Sequence, residues 1–259
     1  MGEVRGMFKD TTRSFIEYLN SKDIECVEDL KVDKKEFVDF DKIKSQVSSI
    51  AEFNLRTLGY EEDMNKKLKS NVGSTLEQYK IYTKKLKRYL NELRGKHMEG
   101  KLQETIYKYG ISCLDRSNKC IDTIYQNDYL GLIKRSMDRK EVCLGNTYYN
   151  NLSKGIDEKI RIMSIDKCCY NMVETDLVYF LNRLKKSKVE INFISLIDDF
   201  CNMESLDKRS FKFISALLSY PYYSMKYYNK FITKVTNHNV MEFLNGLTKV
   251  MKKDRYNLV

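Results

Sequence analysis

A single proline, Pro221, interrupts 259 residues, and glycine occurs only 11 times. These are the two residues that break helices and permit tight turns. A chain with so few of them is built from long helices joined by polar turns. Hydrophobic residues make up 42%, enough for an ordinary core, so the 32% charged content does not signal disorder. This length suits one domain, or one domain with a small appendage. The predicted fold class is therefore mainly α, with a small β part (α+β).

Apolar periodicity locates the helices. From Asp41, read as the N-cap, Ile43, Val47, Ile50, Ala51, Leu55 and Leu58 follow a helical stripe that Gly59 stops. Leu76, Tyr79, Thr83, Leu86, Leu90 and Leu93 mark a second helix over 75–93. A third is expected over 103–124, with a break near Gly110. Further helices are predicted over 11–20, 174–184, 208–219, 222–235 and 240–251, Pro221 separating two of them. One region differs. Asn146 to Asn150 and Lys159 to Ile165 read as two short strands around a turn at Gly155, the second with alternating apolar residues.

Several function classes lose support. The seven cysteines show no C-x-x-C spacing, and His97 and His238 stand alone, so no metal site is predicted. The thiols read as reduced, packed side chains. The apolar run from Ile191 to Ile197 is too short to span a membrane, and no signal peptide is recognisable, which predicts an intracellular protein. The net charge of +10 favours an acidic partner, but the positives are dispersed along helices and alternate with acids, as on solvated faces. With no recognisable nucleic-acid module, nucleic acid is not the expected partner. Nineteen tyrosines are unusual; in the cluster Tyr220, Tyr222, Tyr223, Tyr227 and Tyr228, Tyr223 and Tyr227 share one helix face and are expected to pack.

The hairpin carries Gly145-Asn146-Thr147 at its entrance and Ser164-Ile165-Asp166 at its exit, then Cys168-Cys169-Tyr170 and Asp176-Leu177. Together with Ile50-Ala51-Glu52-Phe53, Gly59-Tyr60, Lys69 to Gly73 and Leu217 to Pro221, it resembles, in order, the spore coat proteins of CotS type. That family lies within the aminoglycoside and choline kinase-like superfamily. The resemblance covers about residues 36–235. It implies a kinase-like helical C-terminal lobe over 41–259, with 1–40 as a short helical remnant of the nucleotide lobe and hinge.

Phosphoryl transfer needs a carboxylate to orient the acceptor, an Asn and an Asp on magnesium, and a lobe over the nucleotide phosphates. Setting Asn146 on the family's metal-binding Asn puts Glu141 on its base Asp and Arg139 on its His. A glutamate's extra methylene shifts the carboxylate by about an ångström, which positioning tolerates poorly. A gapless register through Cys168, Tyr170 and Asp176 sets Ser164 on the metal-binding Asp. A two-residue gap would set Asp166 there instead. Only about 35–40 residues precede the lobe, without a G-x-G-x-x-G loop.

Neutral roles compete at each position: Asn146 as a turn residue, Glu141 as a surface acid, Asp166 as a partner near Arg161 or Lys167, and Asp176 as an N-cap or a buried tether. The expected function is a non-catalytic adaptor or structural protein of the spore coat, a pseudokinase with other coat proteins as partners and no cofactor. One alternative is a small-molecule phosphotransferase that uses ATP and magnesium on Asn146 and Asp166. Another is a basic helical module that binds a polyanion or nucleic acid.

Overall fold

The computed structural model describes residues 14–30, 39–61, 68–95, 100–185, 191–233 and 240–259. It opens with helix α1 (residues 14–21), strand β1 (Ile24–Cys26) and helices α2 (Phe40–Thr57), α3 (Ser74–Gly95), α4 (Lys101–Gln126) and α5 (Tyr129–Arg139). Four short strands follow: β2 (Val142–Cys143), β3 (Leu152–Lys154), β4 (Ile160–Ile162) and β5 (Cys169–Tyr170). Helices α6 (Glu174–Leu184), α7 (Phe193–Met203), α8 (Lys208–Ser219), α9 (Tyr222–Thr233) and α10 (Val240–Met251) complete the chain. The fold is mainly α with a small β part. His97 and His238 lie outside the described residues. No helix among the described residues is long and apolar enough to cross a membrane.

The chain divides into two compact units. One contains the described residues up to Val72 and Leu130–Phe211; the other contains Gly73–Tyr129 and Lys212–Val259.

In the first unit, α2 starts two residues earlier than the Asp41 cap predicts. Asp39 is the N-cap, its carboxylate accepting the Lys42 N–H at 2.8 Å. Its buried face carries Ile43, Val47, Ile50, Ala51 and Phe53, whereas Leu55 is exposed. Two buried polar side chains on α2 serve the segment after α5. Gln46 donates to the Thr147 and Leu152 carbonyls, and Asn54 to the Val142 carbonyl. Buried amides need partners, so these bonds tie the loop to the helix.

The hairpin exists, but its first strand is displaced from the expected 146–150. The Tyr148 carbonyl accepts the N–H groups of Asn151 (2.8 Å) and Leu152 (3.1 Å), closing a turn, so the strand begins only at Leu152. β3 pairs antiparallel with β4, Leu152 opposite Ile162. β1 adds to the far side of β4 in parallel, Ile24 opposite Ile160. β2 and β5 form a separate antiparallel pair, and the N–H of Asn71 and the carbonyl of Lys69 bond Tyr170 beside it.

In the second unit, α4 runs unbroken through Gly110. A Cβ at Gly110 would come within 2.6 Å of Leu90 in α3, so this glycine is a point of close helix approach and not a break. Tyr220 stacks on Tyr79 with ring centroids 3.8 Å apart and donates to the Tyr79 carbonyl. Tyr228 donates to the Ile106 carbonyl at 2.8 Å. The fully buried tyrosines of the cluster are Tyr220 and Tyr228; the half-buried Tyr227 stacks on Phe243 with ring centroids 5.1 Å apart, and the half-buried Tyr223 meets Tyr222 edge-on. Asp254 accepts the N–H groups of Tyr223 and Ser224 at the start of α9, where a negative charge complements the helix dipole.

Candidate functional site

The loop from Leu144 to Asn151 joins β2 to β3, and Asp176 anchors its start. This aspartate lies inside the first turn of α6, not at its cap, and is fully buried. Its carboxylate accepts the N–H of Leu144 (2.7 Å), the N–H of Gly145 (2.8 Å) and the Asn54 amide (3.1 Å). Burial pushes its pKa up to about 6, against the pull of these three donors. The Thr147 hydroxyl donates to the Asp176 carbonyl, so backbone and side chain of one residue both hold the loop. Gly145 takes a left-handed φ of 72°, and a Cβ there would come within 2.6 Å of the Lys167 carbonyl oxygen.

Asn151 closes the loop. Its amide nitrogen donates to the carbonyls of Asn146 (2.9 Å) and Ser164 (3.1 Å), and its Oδ1 accepts the Ser164 N–H (2.8 Å). Ser164 in turn donates its hydroxyl to Asp166 at 2.8 Å. Asp166 is exposed, and Arg161 pairs with Asp157 rather than with it. The Oδ1 of Asn146 is buried and has no hydrogen-bond partner. Asn146, Ser164 and Asp166 are therefore joined through Asn151, a residue that the sequence reading did not single out. Its position directly before the first hairpin strand is the signal that could have found it.

Arg139 and Glu141 belong to a different arrangement. Glu141 is 1% exposed and is no surface acid. Arg135 approaches both of its oxygens, at 3.1 and 3.2 Å, and Arg139 lies 3.4 Å from one of them. Arg135 also donates to Glu174 at 2.8 Å and to the Ser210 hydroxyl at 2.7 Å. Burial works against the Arg135 charge, but Glu174 and Glu141 outweigh it and strengthen its hold on the proton. Glu204 completes the cluster 4.0 Å from Arg139, with neither carboxylate oxygen hydrogen-bonded. Burial raises its pKa to about 8, and the pull of Arg139 only partly offsets this. Three buried acids thus share two guanidinium groups.

None of the seven cysteines forms a disulfide, and six are buried. Desolvation raises the thiols of Cys113 and Cys201 to about 12, and those of Cys143 and Cys168 rise well above the usual range. A thiol held protonated in this way is a poor nucleophile. Among the described residues, no group of three or more His, Cys, Asp or Glu side chains is placed to hold a metal ion.

A search of solved structures finds this fold in an aminoglycoside phosphotransferase from Alicyclobacillus acidocaldarius. The two chains superpose with a TM-score of 0.62 at 10% identity, over 83% of this chain and 63% of that one. The chain therefore spans less than two thirds of the length of that relative. At such low identity the likeness speaks for the fold, which is kinase-like, and for nothing more specific. No family model matches the sequence, and no curated protein does.

Proposed function

We propose that this kinase-like chain is a non-catalytic binding protein whose phosphotransfer loop has become part of the structural core. The observation that carries the proposal is the position of Asn151. In kinases the catalytic loop reads H-R-D-x-x-x-x-N: the Asp orients the acceptor and the Asn binds metal. The loop here runs between β2 and β3, and the asparagine that ends it, five residues after Asn146, is Asn151. Leu144-Gly145-Asn146 then occupies the H-x-D position. This register replaces the one that put Glu141 at the base, because Glu141 precedes β2 and is locked between Arg135 and Arg139.

A neutral amide at Asn146 cannot accept a proton from an attacking hydroxyl. The Asn151 amide is engaged by Ser164 and the Asn146 carbonyl, and Ser164 offers a neutral hydroxyl where magnesium prefers a carboxylate. These residues do not fit a magnesium-nucleotide site. The finer assignment, a spore coat adaptor of CotS type, rests on the ordered motifs from Ile50 to Pro221. Detection of the protein in the coat fraction of spores tests it.

A second reading has one observation in its favour. The unpartnered Asn146 Oδ1 and the exposed Asp166 carboxylate leave two oxygens for a cation. Calorimetric titration with ATP, with and without magnesium, and a phosphoryl-transfer assay on kanamycin decide between the two readings. The proposal expects no magnesium-dependent heat and no turnover. Magnesium-dependent binding that disappears in Asp166→Ala would establish the phosphotransferase reading instead.

A further inference from the structure

The net charge of +10 is not shared between the two units. Gly73–Tyr129 and Lys212–Val259 hold 19 Lys and Arg against 9 Asp and Glu, so the second unit alone accounts for the whole excess. The first unit balances 27 against 27. Positives that are dispersed along the sequence are thus segregated by the fold, and a basic module of this kind attracts a polyanion.

One corner of the second unit adds aromatic rings to the charge. Asp254 ends the 3-10 turn Lys252–Asp254 after α10. It accepts the N–H groups of Tyr223 (3.2 Å) and Ser224 (2.7 Å), which ties that turn to the start of α9. The Lys226 Nζ lies 5.5 Å from the centre of the Tyr222 ring, and Tyr222 and Tyr223 meet edge-on with centroids 5.6 Å apart. The Lys253 Nζ lies 5.6 Å from the Tyr223 ring, so cations and rings alternate in one row. Lys252 and Arg255 adjoin it in the chain, the Arg255 guanidinium 4.8 Å from the Tyr256 ring. Lys226, Lys252 and Arg255 are exposed, and the three tyrosines are half-buried. The acid among these cations, Asp254, is 4% exposed and is engaged with α9.

We propose that this corner binds single-stranded nucleic acid, with phosphates on the lysines and Arg255 and a base against the Tyr222 and Tyr223 rings. Phosphate contacts supply salt-dependent affinity, and every base has a π face, so alternating cations and tyrosines hold a strand without regard to its sequence. An acidic peptide would use the charges and leave the rings idle. The bases of a duplex are stacked on one another and closed to the tyrosines. The proposal goes beyond the binding role inferred above: it names a partner class on the other unit and does not depend on whether the Leu144–Asn151 loop takes nucleotide.

The test titrates the full chain into a fluorescein-labelled oligothymidylate of about twelve nucleotides and follows anisotropy. Saturable binding is expected, with log K falling against log salt at a slope of about −3, the value for roughly four engaged phosphates. Lys226→Ala and Arg255→Ala, both at exposed positions, weaken binding and each reduce the magnitude of that slope by about 0.7. Tyr223→Leu weakens binding about fivefold and leaves the slope unchanged, the mark of lost stacking. Lys159→Ala removes a cation from the first unit and changes nothing. The ATP titration is scored separately, so either proposal can fail without the other. No saturation at low salt, a loss in Lys159→Ala equal to that in Lys226→Ala, or full binding by Tyr223→Leu would each overturn the proposal. Displacement by polyglutamate as effective as by unlabelled oligothymidylate would also overturn it, and would assign the corner to an acidic protein.

Discussion

Replacing Arg135 with methionine should unfold the first unit more readily than any exposed substitution in this chain. The guanidinium contacts both Glu141 oxygens at 3.1 and 3.2 Å and Glu174 at 2.8 Å, and both carboxylate side chains are completely buried. Arg135→Met keeps the bulk of the stem but strands the Glu174 charge and leaves Glu141 with Arg139 as its remaining guanidinium. Removing one partner of a buried pair costs about 3–5 kcal/mol, mainly because the remaining charge stays uncompensated. With a denaturant slope near 3 kcal/mol/M, this moves the urea midpoint down by roughly 1–1.7 M. Lys44→Ala, which removes an exposed ion pair with Asp199, serves as the control and should stay within about 0.5 kcal/mol. A loss below about 1 kcal/mol for Arg135→Met at pH 7 refutes the reasoning.

Glu204→Gln should do the opposite. Its folded pKa of about 8 stands above the unfolded value of 4.5, so its contribution is complete below pH 4.5 and is lost as pH rises through 8. Glutamine cannot ionise. The variant should match the wild type near pH 4.5 and exceed it by about 2–4 kcal/mol at pH 8.5; a lower urea midpoint than the wild type at pH 8.5 would contradict this. Gly145→Ala must place a Cβ in a left-handed conformation against the Lys167 carbonyl. A destabilisation of about 2–4 kcal/mol is expected, and an unchanged melting temperature would show that the loop does not need that geometry.

The sequence reading succeeded where core burial follows a clean period. The bounds of α6, α8 and α10 agree with the periodicity, because each carries an apolar stripe at helical spacing, although α6 also buries Glu174 and Asp176 and α8 buries Ser210, Ser215 and Ser219. It failed on α5, whose inner face carries Arg135 and the buried Ser136 in positions that an apolar stripe would occupy. For α7 the stripe of Phe193, Leu196, Ile197, Phe200 and Cys201 was available, but its first residues drew attention only as a possible membrane span. Strands β2 and β5, two residues each, are too short to show alternation.

The site illustrates a subtler loss. Counting from Asn146 rested on matching it to the family's metal-binding Asn. A turn closed by the Tyr148 carbonyl delays the first strand to Leu152, and the proposed register through Asn151 moves each upstream assignment by five residues. Burial was the other hidden quantity. Glu141 sits between Lys140 and Val142 in a sequence that suggests surface, and only tertiary placement next to Arg135 and Arg139 encloses it.

The parallel pairing of β1 with β4 has a consequence for biosynthesis. Ile24 must wait for Ile160, which is translated about 136 residues later. At ordinary elongation rates that interval is roughly 7–30 s, long compared with the microseconds in which a helix such as α3 or α4 forms. During that time the nascent chain holds an unpaired strand with Ile24 uncovered while the first segment of the other unit, Gly73–Tyr129, is being made. Translation speed across that segment, rather than the intrinsic rate of any helix, thus limits how early the first unit can close on the ribosome.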